Sequence, residues 1–340
     1  MNIIILGAGR VGESVAESLV SEQNDITVID QDPQRLRVLE ERLDLRGIVG
    51  NGIQPSVLRD AGAQDADMVI GCATSDESNL VFCKVAYNLF QVPTTIARLR
   101  SPEFREGDEL LSKSGFAVDR VICPEDSVTH YINKLLAYPE ALHVLEFAEG
   151  RVCLIGVKAV EGSTLAGRTL AEFKQYFPNF EMRVVALYRQ DVGIEPTRET
   201  VVLPGDEVFV LAAQEHIRQV LRAIHNVDQP VQRVMIGGCG KVGLRLARSL
   251  IGHYQVKLIE QKVARCEYLA SQLPSDVLVL QGDTVDEDLL EEENVADMDM
   301  FLALTDDDED NIMAAMLAKR LGARRVMALI NRRSYADMLN

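Results

Sequence analysis

The 340-residue sequence has no surplus of positive charge. Lys and Arg number 35 against 52 Asp and Glu, a net of −17. Phosphate backbones repel such a chain, which argues against a nucleic-acid partner. An anionic membrane leaflet repels it too, so a role at a membrane needs another protein to hold it there. No apolar run approaches the ~18–20 residues of a spanning helix, which argues against direct membrane insertion. The opening Met-Asn-Ile-Ile-Ile-Leu has no basic flank and meets Gly7 at once, so no signal peptide is expected. Six cysteines (Cys72, Cys83, Cys123, Cys153, Cys239, Cys266) form no CxxC and show no metal-ligand spacing. Reduced thiols of a cytosolic protein are expected, with no metal site. GxSxG, HExxH and GxxxxGK[ST] are missing as well. What remains is 47% apolar and 26% charged, enough for packed cores. At ~150 residues per domain the length suggests two or three domains.

The chain repeats itself. IIILGAGRVGESVAESLV at residues 3–20 returns as VMIGGCGKVGLRLARSLI at residues 234–251. Gly7, Gly9 and Gly12 thus correspond to Gly238, Gly240 and Gly243. ITVID ending at Asp30 parallels VKLIE ending at Glu260, and GNG at Gly50 parallels GDT at Gly282. ADMVIGCATSDESN parallels ADMDMFLALTDDDEDN, and IARLRS parallels LINRRS, which sets Arg98 against Asn331. Within each copy, β-branched runs such as IIIL and ITVI alternate with stretches of 3.6-residue apolar period such as ESNLVFCKVAYNLF. That alternation predicts an α/β fold: a doubly wound, Rossmann-type parallel sheet with helices on both faces. Between the copies, LHVLEFA, VCLIGVKAV, MRVVALYR and EVFVLAA are separated by turn signals and closed by a helix near Gln214 to His225. The expected organisation is a Rossmann domain over 1–135, a small α+β domain over 140–225, a linker 226–230, and a second Rossmann domain over 231–340.

The first glycine turn carries specific physics. Gly7 permits the tight turn, Gly9 lets backbone approach a pyrophosphate, and Gly12 lets the helix lie close to the strand. Free N–H groups at the helix start then attract phosphate oxygens, which makes Gly7, Ala8, Gly9, Arg10 and Val11 binding candidates. Asp30, at the tip of the second strand, can accept both ribose hydroxyls of an adenosine and would repel a 2′-phosphate, so NAD is favoured over NADP. Asn51, Gly52, Ala73, Thr74 and Arg98 follow later strands and fall at the same carboxyl edge, where such sheets bind ligands. An ordinary surface arginine is an equally good reading of Arg98. In the second copy the candidates are Gly238, Cys239, Gly240, Lys241, Val242, Glu260, Asp283 and Thr305. Between Asp283 and Asp310 stand fourteen acids and no Lys or Arg. A solvated surface with helix-start carboxylates explains them. A sharper expectation is that these acids weaken anionic nucleotides unless a divalent cation screens them.

A duplicated dinucleotide fold also suggests an NAD-dependent oxidoreductase. Such an enzyme needs an acid or base beside the nicotinamide. No histidine recurs in both copies, and Tyr131 is followed by Leu135 where YxxxK would need lysine. The duplication repeats a binding unit and no catalytic constellation, which points to a ligand-responsive module in a ring of equivalent units.

These motifs, with GSTLAGRTL at Gly162 and LPGDEVFVLA at Leu203 in the middle domain and NRRSYADML at the end, resemble the RCK/KTN family, the regulatory subunits of bacterial Trk potassium-uptake systems. The resemblance covers essentially the whole chain. It implies two RCK N-domains separated by an RCK C-domain and a non-enzymatic regulator that binds NAD(H) and adenine nucleotides such as ATP and ADP. It also implies assembly as a tetrameric ring. A potassium transporter of TrkH/TrkG type would be the partner, holding the ring at the cytoplasmic face of the inner membrane. By the same resemblance Gly7 to Val11, Asp30, Ala73, Thr74 and Arg98 form the first site, and Gly238 to Val242, Glu260 and Thr305 the second. A second small domain would run well beyond Asn340, so the second sheet is expected to lack its last strand and to expose an edge.

Overall fold

The computed structural model describes residues 1–20, 24–104, 108–176, 181–225 and 230–331. The chain divides into two compact units, Met1–Pro124 and Glu125–Asn340.

The first unit alternates strand and helix. Its elements are β1 (Asn2–Leu6), α1 (Arg10–Val20), β2 (Asp25–Asp30), α2 (Pro33–Arg42), β3 (Arg46–Val49), α3 (Pro55–Asp60), β4 (Met68–Gly71), α4 (Asp76–Phe90), β5 (Thr94–Arg98), α5 (Asp108–Leu111) and β6 (Arg120–Ile122). All six strands are parallel, in the order β3-β2-β1-β4-β5-β6. Helices cover both faces, so Ile3, Ile4 and Ile5 are buried in succession instead of alternating. The order reverses between β1 and β4. Connections leave to opposite sides there and open a crevice at the carboxyl ends. Local chemistry fixes the helix starts. Asp32 accepts the Gln34 N–H at 2.9 Å ahead of Pro33, and Ser75 caps α4 through the Ser78 N–H at 3.2 Å.

The second unit begins with α6 (Pro124–Ala137, its first residue closing unit one). It continues with β7 (Ala141–Phe147), β8 (Val152–Lys158), α7 (Leu170–Gln175), β9 (Met182–Arg189), β10 (Val192–Ile194), β11 (Glu207–Ala213) and α8 (Ile217–His225). The five strands form an antiparallel sheet in the order β10-β9-β11-β8-β7. One face is buried, with Ile155, Val157, Val208 and Val210 packed in one core with Phe173 of α7 and Val220 of α8. Thr169 and Glu172 close α7 with a capping box.

A second Rossmann sheet follows: β12 (Arg233–Gly237), α9 (Lys241–Leu250), β13 (Gln255–Glu260), α10 (Val263–Gln272), β14 (Leu278–Gln281), α11 (Glu287–Glu292), β15 (Met300–Ala303), α12 (Asp308–Arg320) and β16 (Arg325–Ala328). Its order, β14-β13-β12-β15-β16, repeats the first sheet with five strands among the described residues. The α/β class with two Rossmann sheets around a small α+β domain is therefore the observed architecture. Helix α6 joins the parts of this unit. Its Leu135 packs into the middle-domain core, while Ile132 and Leu136 share a core with Leu246 and Leu250 of α9. Most of the 226–230 linker and the motif residues 332–340 lie outside the described residues.

Candidate functional site

The first crevice is built by strand ends. Gly7, at φ +101°, turns the chain out of β1, and its N–H donates to the Ile29 carbonyl at 2.8 Å. Gly12 is required by contact, because a Cβ there would lie 1.8 Å from the Gly7 carbonyl oxygen. Gly9 is different. A Cβ on it would meet nothing within 4 Å. Packing leaves the space above Gly9 open, at the start of a helix whose first amides have no acceptor inside the helix. A phosphate cradle requires that arrangement, so the residues present fit a bound nucleotide.

Asp30 stands one strand over. Its carboxylate accepts the Ala8 N–H at 2.6 Å and the Asp32 N–H at 2.8 Å. It braces the glycine loop and retains lone pairs for a sugar diol. Asn51 and Gly52 lie beside it, yet their geometry is structural. Asn51 closes the turn into α3, with its carbonyl accepting the Gln54 N–H at 3.0 Å and its Oδ1 the Ile53 N–H at 3.3 Å. Gly52 is buried, and a Cβ there would come 2.6 Å from Cδ1 of Leu6. Ala73 and exposed Thr74 follow β4, and half-buried Arg98 ends β5. Arg98 lies near enough to Cys72 for its charge to oppose the rise of that thiol, which burial pushes up to about 11. The cysteines around this crevice are thiols, not thiolates.

A residue that the motif reading passed over holds the crevice together. Asn79 is fully buried in the first turn of α4. Its Oδ1 accepts the Ala73 N–H at 2.8 Å, and its Nδ2 donates to the carbonyls of Ala73 at 3.1 Å and Arg98 at 2.8 Å. It ties the ends of β4 and β5 together. Asp76 does the same one position outward, accepting the N–H groups of Arg100 and Ser101 at 2.8 Å each. The signal was present in the sequence: the last residue of each ADM…N motif is asparagine.

The second crevice copies this scaffold and changes its lining. Gly238, at φ +93°, donates to Ile259 at 2.9 Å. Gly243 would place a Cβ 2.1 Å from the Gly238 oxygen, while Gly240 is open apart from Asp306 Oδ1 at 4.0 Å. Glu260 accepts from Cys239 N–H at 3.3 Å and Lys262 N–H at 3.0 Å. Asn311 accepts the Thr305 N–H at 2.8 Å and donates to the carbonyls of Thr305 at 3.0 Å and Leu329 at 2.9 Å. Asp283 caps its own turn through the Val285 N–H at 3.1 Å. Lys241 is exposed at the start of α9, with Val242 half-buried behind it. Cys239 is buried and its thiol is pushed up to about 12. Arg265 was also missed. Its guanidinium donates to the Cys239 carbonyl at 3.0 and 3.1 Å and lies over the Tyr268 ring.

One correspondence differs from the sequence reading. The paired asparagines reach the carbonyls of Arg98 and Leu329, and the paired aspartates reach the amides of Arg100 and Asn331. Arg98 therefore matches Leu329, not Asn331. Between the shared strand-register positions the second copy is one residue shorter, Ala303 to Ala328 against Gly71 to Ala97. Matching the two Arg-Ser pairs hid the shift. The second crevice has an apolar side chain where the first has a cation. Among the described residues, no group of three His, Cys, Asp or Glu is placed to hold a metal ion, and no helix is long and apolar enough to cross a membrane.

A glycine turn out of a parallel strand, a helix start behind it and a carboxylate one strand over define the Rossmann-type nucleotide-binding domains, and this chain has two. The TrkA-N domain profile matches residues 3–124 and again 234–340, and the TrkA-C domain profile matches 154–225. The chain is 47% identical to the Trk system potassium uptake protein TrkA of Vibrio alginolyticus and 44% identical to that of Haemophilus influenzae. Each match spans all of this chain and 74% of the relative. The chain belongs to the family of Trk system potassium uptake proteins TrkA. Among solved structures, the GsuK RCK domain superposes with a TM-score of 0.68 at 19% identity, covering 99% of this chain and 75% of that one. The GsuK channel bound to NAD gives 0.66 at 18% identity, covering 99% and 62%. These likenesses show the shared fold.

Proposed function

We propose that the chain is a nucleotide-sensing regulatory subunit of a Trk-type potassium uptake system. It binds NAD(H) in the first crevice and an adenine nucleotide in the second, and it controls a membrane transporter of TrkH/TrkG type from the cytoplasmic side as part of a tetrameric ring. The observation that carries the reading is the open space over Gly9, bounded by the helix-start amides and by Asp30. Gly9, Arg10 and Val11 would hold the pyrophosphate, the N–H groups of Gly7 and Ala8 being taken by Ile29 and Asp30; Asp30 would hold the adenosine ribose, and Arg98 a phosphate or the far nucleotide. Family membership supports the transport role. A solved RCK-fold neighbour described as bound to NAD and another as bound to ADP support the ligand classes. The bound nucleotide supplies a charge and shape signal. Ligands that differ in their differential affinity for two ring shapes shift the equilibrium between them. The chain acts as a regulator and not as an oxidoreductase: what the duplication repeats is the glycine loop and its carboxylate, and no histidine recurs in both copies.

Calorimetry with NADH, NAD, ATP and ADP on the wild type and on Asp30→Ala tests this. Binding that is lost from the first site in the variant, with NADH never consumed, is the expected result. A silent panel, or NADH turnover with any hydroxy- or keto-acid, overturns it.

A further inference from the structure

The two crevices differ at the end that would receive a sugar and its base. Five residues beyond the strand-tip carboxylates Asp30 and Glu260 stand Arg35 and Arg265, and eight beyond stand Val38 and Tyr268. All four lie on α2 and α10, helices of equal length. In the first copy Arg35 turns back to Asp32, pairing at 3.4 Å on an exposed surface. In the second, Lys262 replaces Asp32, and Arg265 reaches the glycine loop instead. Its Nε and Nη2 both donate to the Cys239 carbonyl, at 3.1 and 3.0 Å, and its guanidinium carbon lies 4.8 Å from the centroid of the Tyr268 ring. The N–H of the same Cys239 donates to Glu260. A planar cation is thus held beside the carboxylate that would take a ribose. Two hydrogen bonds and a stacked ring set its plane before a ligand arrives.

The phosphate end of this crevice has the opposite character. Asp306 Oδ1 stands 4.0 Å from where a Cβ on Gly240 would lie, and burial, Asp307, Asp283 and Glu309 push the Asp310 carboxyl up. Leu329 occupies the position that Arg98 has in the first crevice. Phosphate contacts are therefore weaker here, and a larger share of any nucleotide affinity falls to the nucleoside.

We propose that Arg265, backed by Tyr268, is the base platform of the second crevice and makes it selective for purines. The inference rests on the nucleotide reading given above. The guanidinium face turned from Tyr268 stacks on the base of a nucleotide whose ribose Glu260 holds. The base is joined to that ribose, and Glu260 and Arg265 grip the same Cys239 peptide, so a ribose on one brings the base within reach of the other. A guanidinium stacks on ring faces, and a fused two-ring base offers it more area than a single ring. In the first copy, Arg35 is spent on Asp32 and valine stands in the place of the ring, so that crevice has no such platform.

The test uses the full chain carrying Asp30→Ala, which weakens the first crevice, with magnesium present and ADP and UDP as probes in calorimetry. ADP should bind better than UDP. Arg265→Lys, which keeps the charge and loses the plane, should shrink that preference about five-fold or more. Tyr268→Ala, at a position 44% exposed, should shrink it too, while Tyr268→Phe keeps it. The two probes share their ribose and phosphates, so a residue that only braces the loop changes both affinities equally. Equal affinity for ADP and UDP, or equal weakening of both in Arg265→Lys, overturns the platform and leaves the nucleotide reading standing. So does a preference that survives both Arg265→Lys and Tyr268→Ala. Absence of binding by either nucleotide overturns the platform and the second-crevice reading together.

Discussion

Glycines that look equivalent in the motif do different jobs. Gly12 is demanded by the protein, since a Cβ would sit 1.8 Å from the Gly7 oxygen. Gly9 has open space, so nothing in the fold demands it, and the proposed nucleotide would. Gly12→Ala should lower the melting temperature by several degrees, whereas Gly9→Ala should leave thermal stability nearly unchanged and weaken NADH by about ten-fold or more, through loss of the close phosphate approach. Differential scanning calorimetry beside ligand titration separates the two. If both variants lose stability equally, the loop is only a turn. Asp30→Ala removes the carboxylate that accepts the Ala8 amide and is proposed to accept the ribose hydroxyls. At about 1.5–3 kcal/mol per charge-assisted bond, NADH affinity should fall at least about ten-fold. Gly52 shows the limit of motif reading. In the first unit Leu6 fills the space above it, while in the second Gly237 is the vacant position and Thr284 the filler, with a Cβ on Gly237 coming 2.6 Å from Thr284 Cγ2. Size has been exchanged across one contact.

Helices α4 and α12 each begin at a strand end and bury an asparagine in the first turn. That side chain spends its hydrogen-bonding groups on backbone of two neighbouring strands. Asn311→Leu should cost about 2–4 kcal/mol, because the Thr305 amide and two carbonyls lose their partner inside the fold. Urea unfolding followed by circular dichroism reads it, and a loss under about 1 kcal/mol would contradict the brace. The start of α12 differs in charge. Asp307 caps it through Asp310 N–H at 3.0 Å, and the Asp310 carboxyl is pushed up by burial, Asp307, Asp283 and Glu309. A nucleotide phosphate brought here meets that negative field. Adenine-nucleotide affinity at the second crevice should therefore rise with magnesium, while affinity at the first should not. Titrating ATP into the Asp30→Ala variant with and without magnesium checks this.

Across the whole molecule, two structural aspartates concentrate acid sensitivity in the second unit. Asp206 is buried. Burial raises its affinity for a proton, but the bidentate Arg189 at 2.8 Å and the Leu203 N–H at 2.8 Å outweigh it, so the carboxyl is held below its ordinary value. Asp299 is held down likewise. There burial is outweighed by the N–H groups of Arg233 and Gln232, with Arg324 beyond them. A depressed carboxylate contributes stability above its unfolded value of ~3.9 and loses it as pH falls through the folded value. Glu125–Asn340 should lose hydrogen-exchange protection ahead of Met1–Pro124 as pH falls below about 4. Asp206→Asn should blunt that order. Simultaneous loss of both units would refute it.

The sheets were legible in the sequence because strand and helix periods are local, and the duplicated glycine turns marked the carboxyl ends as the candidate binding edges. Asp30 and Glu260 could be placed because the motif fixes their distance along the chain. The exchange of Leu6 and Gly52 for Gly237 and Thr284 could not be seen, since each pair touches only across folded elements. The match of Arg98 to Leu329 was decided in the same way, by the hydrogen bonds of two buried asparagines and not by similarity of letters. The sequence by itself determined two nucleotide folds around a small domain, because hydrophobic period and turn chemistry act between near neighbours. Only the tertiary structure decided which glycine has open space above it, which arginine has no counterpart and where α6 joins two cores, because those depend on distances between residues far apart in the chain.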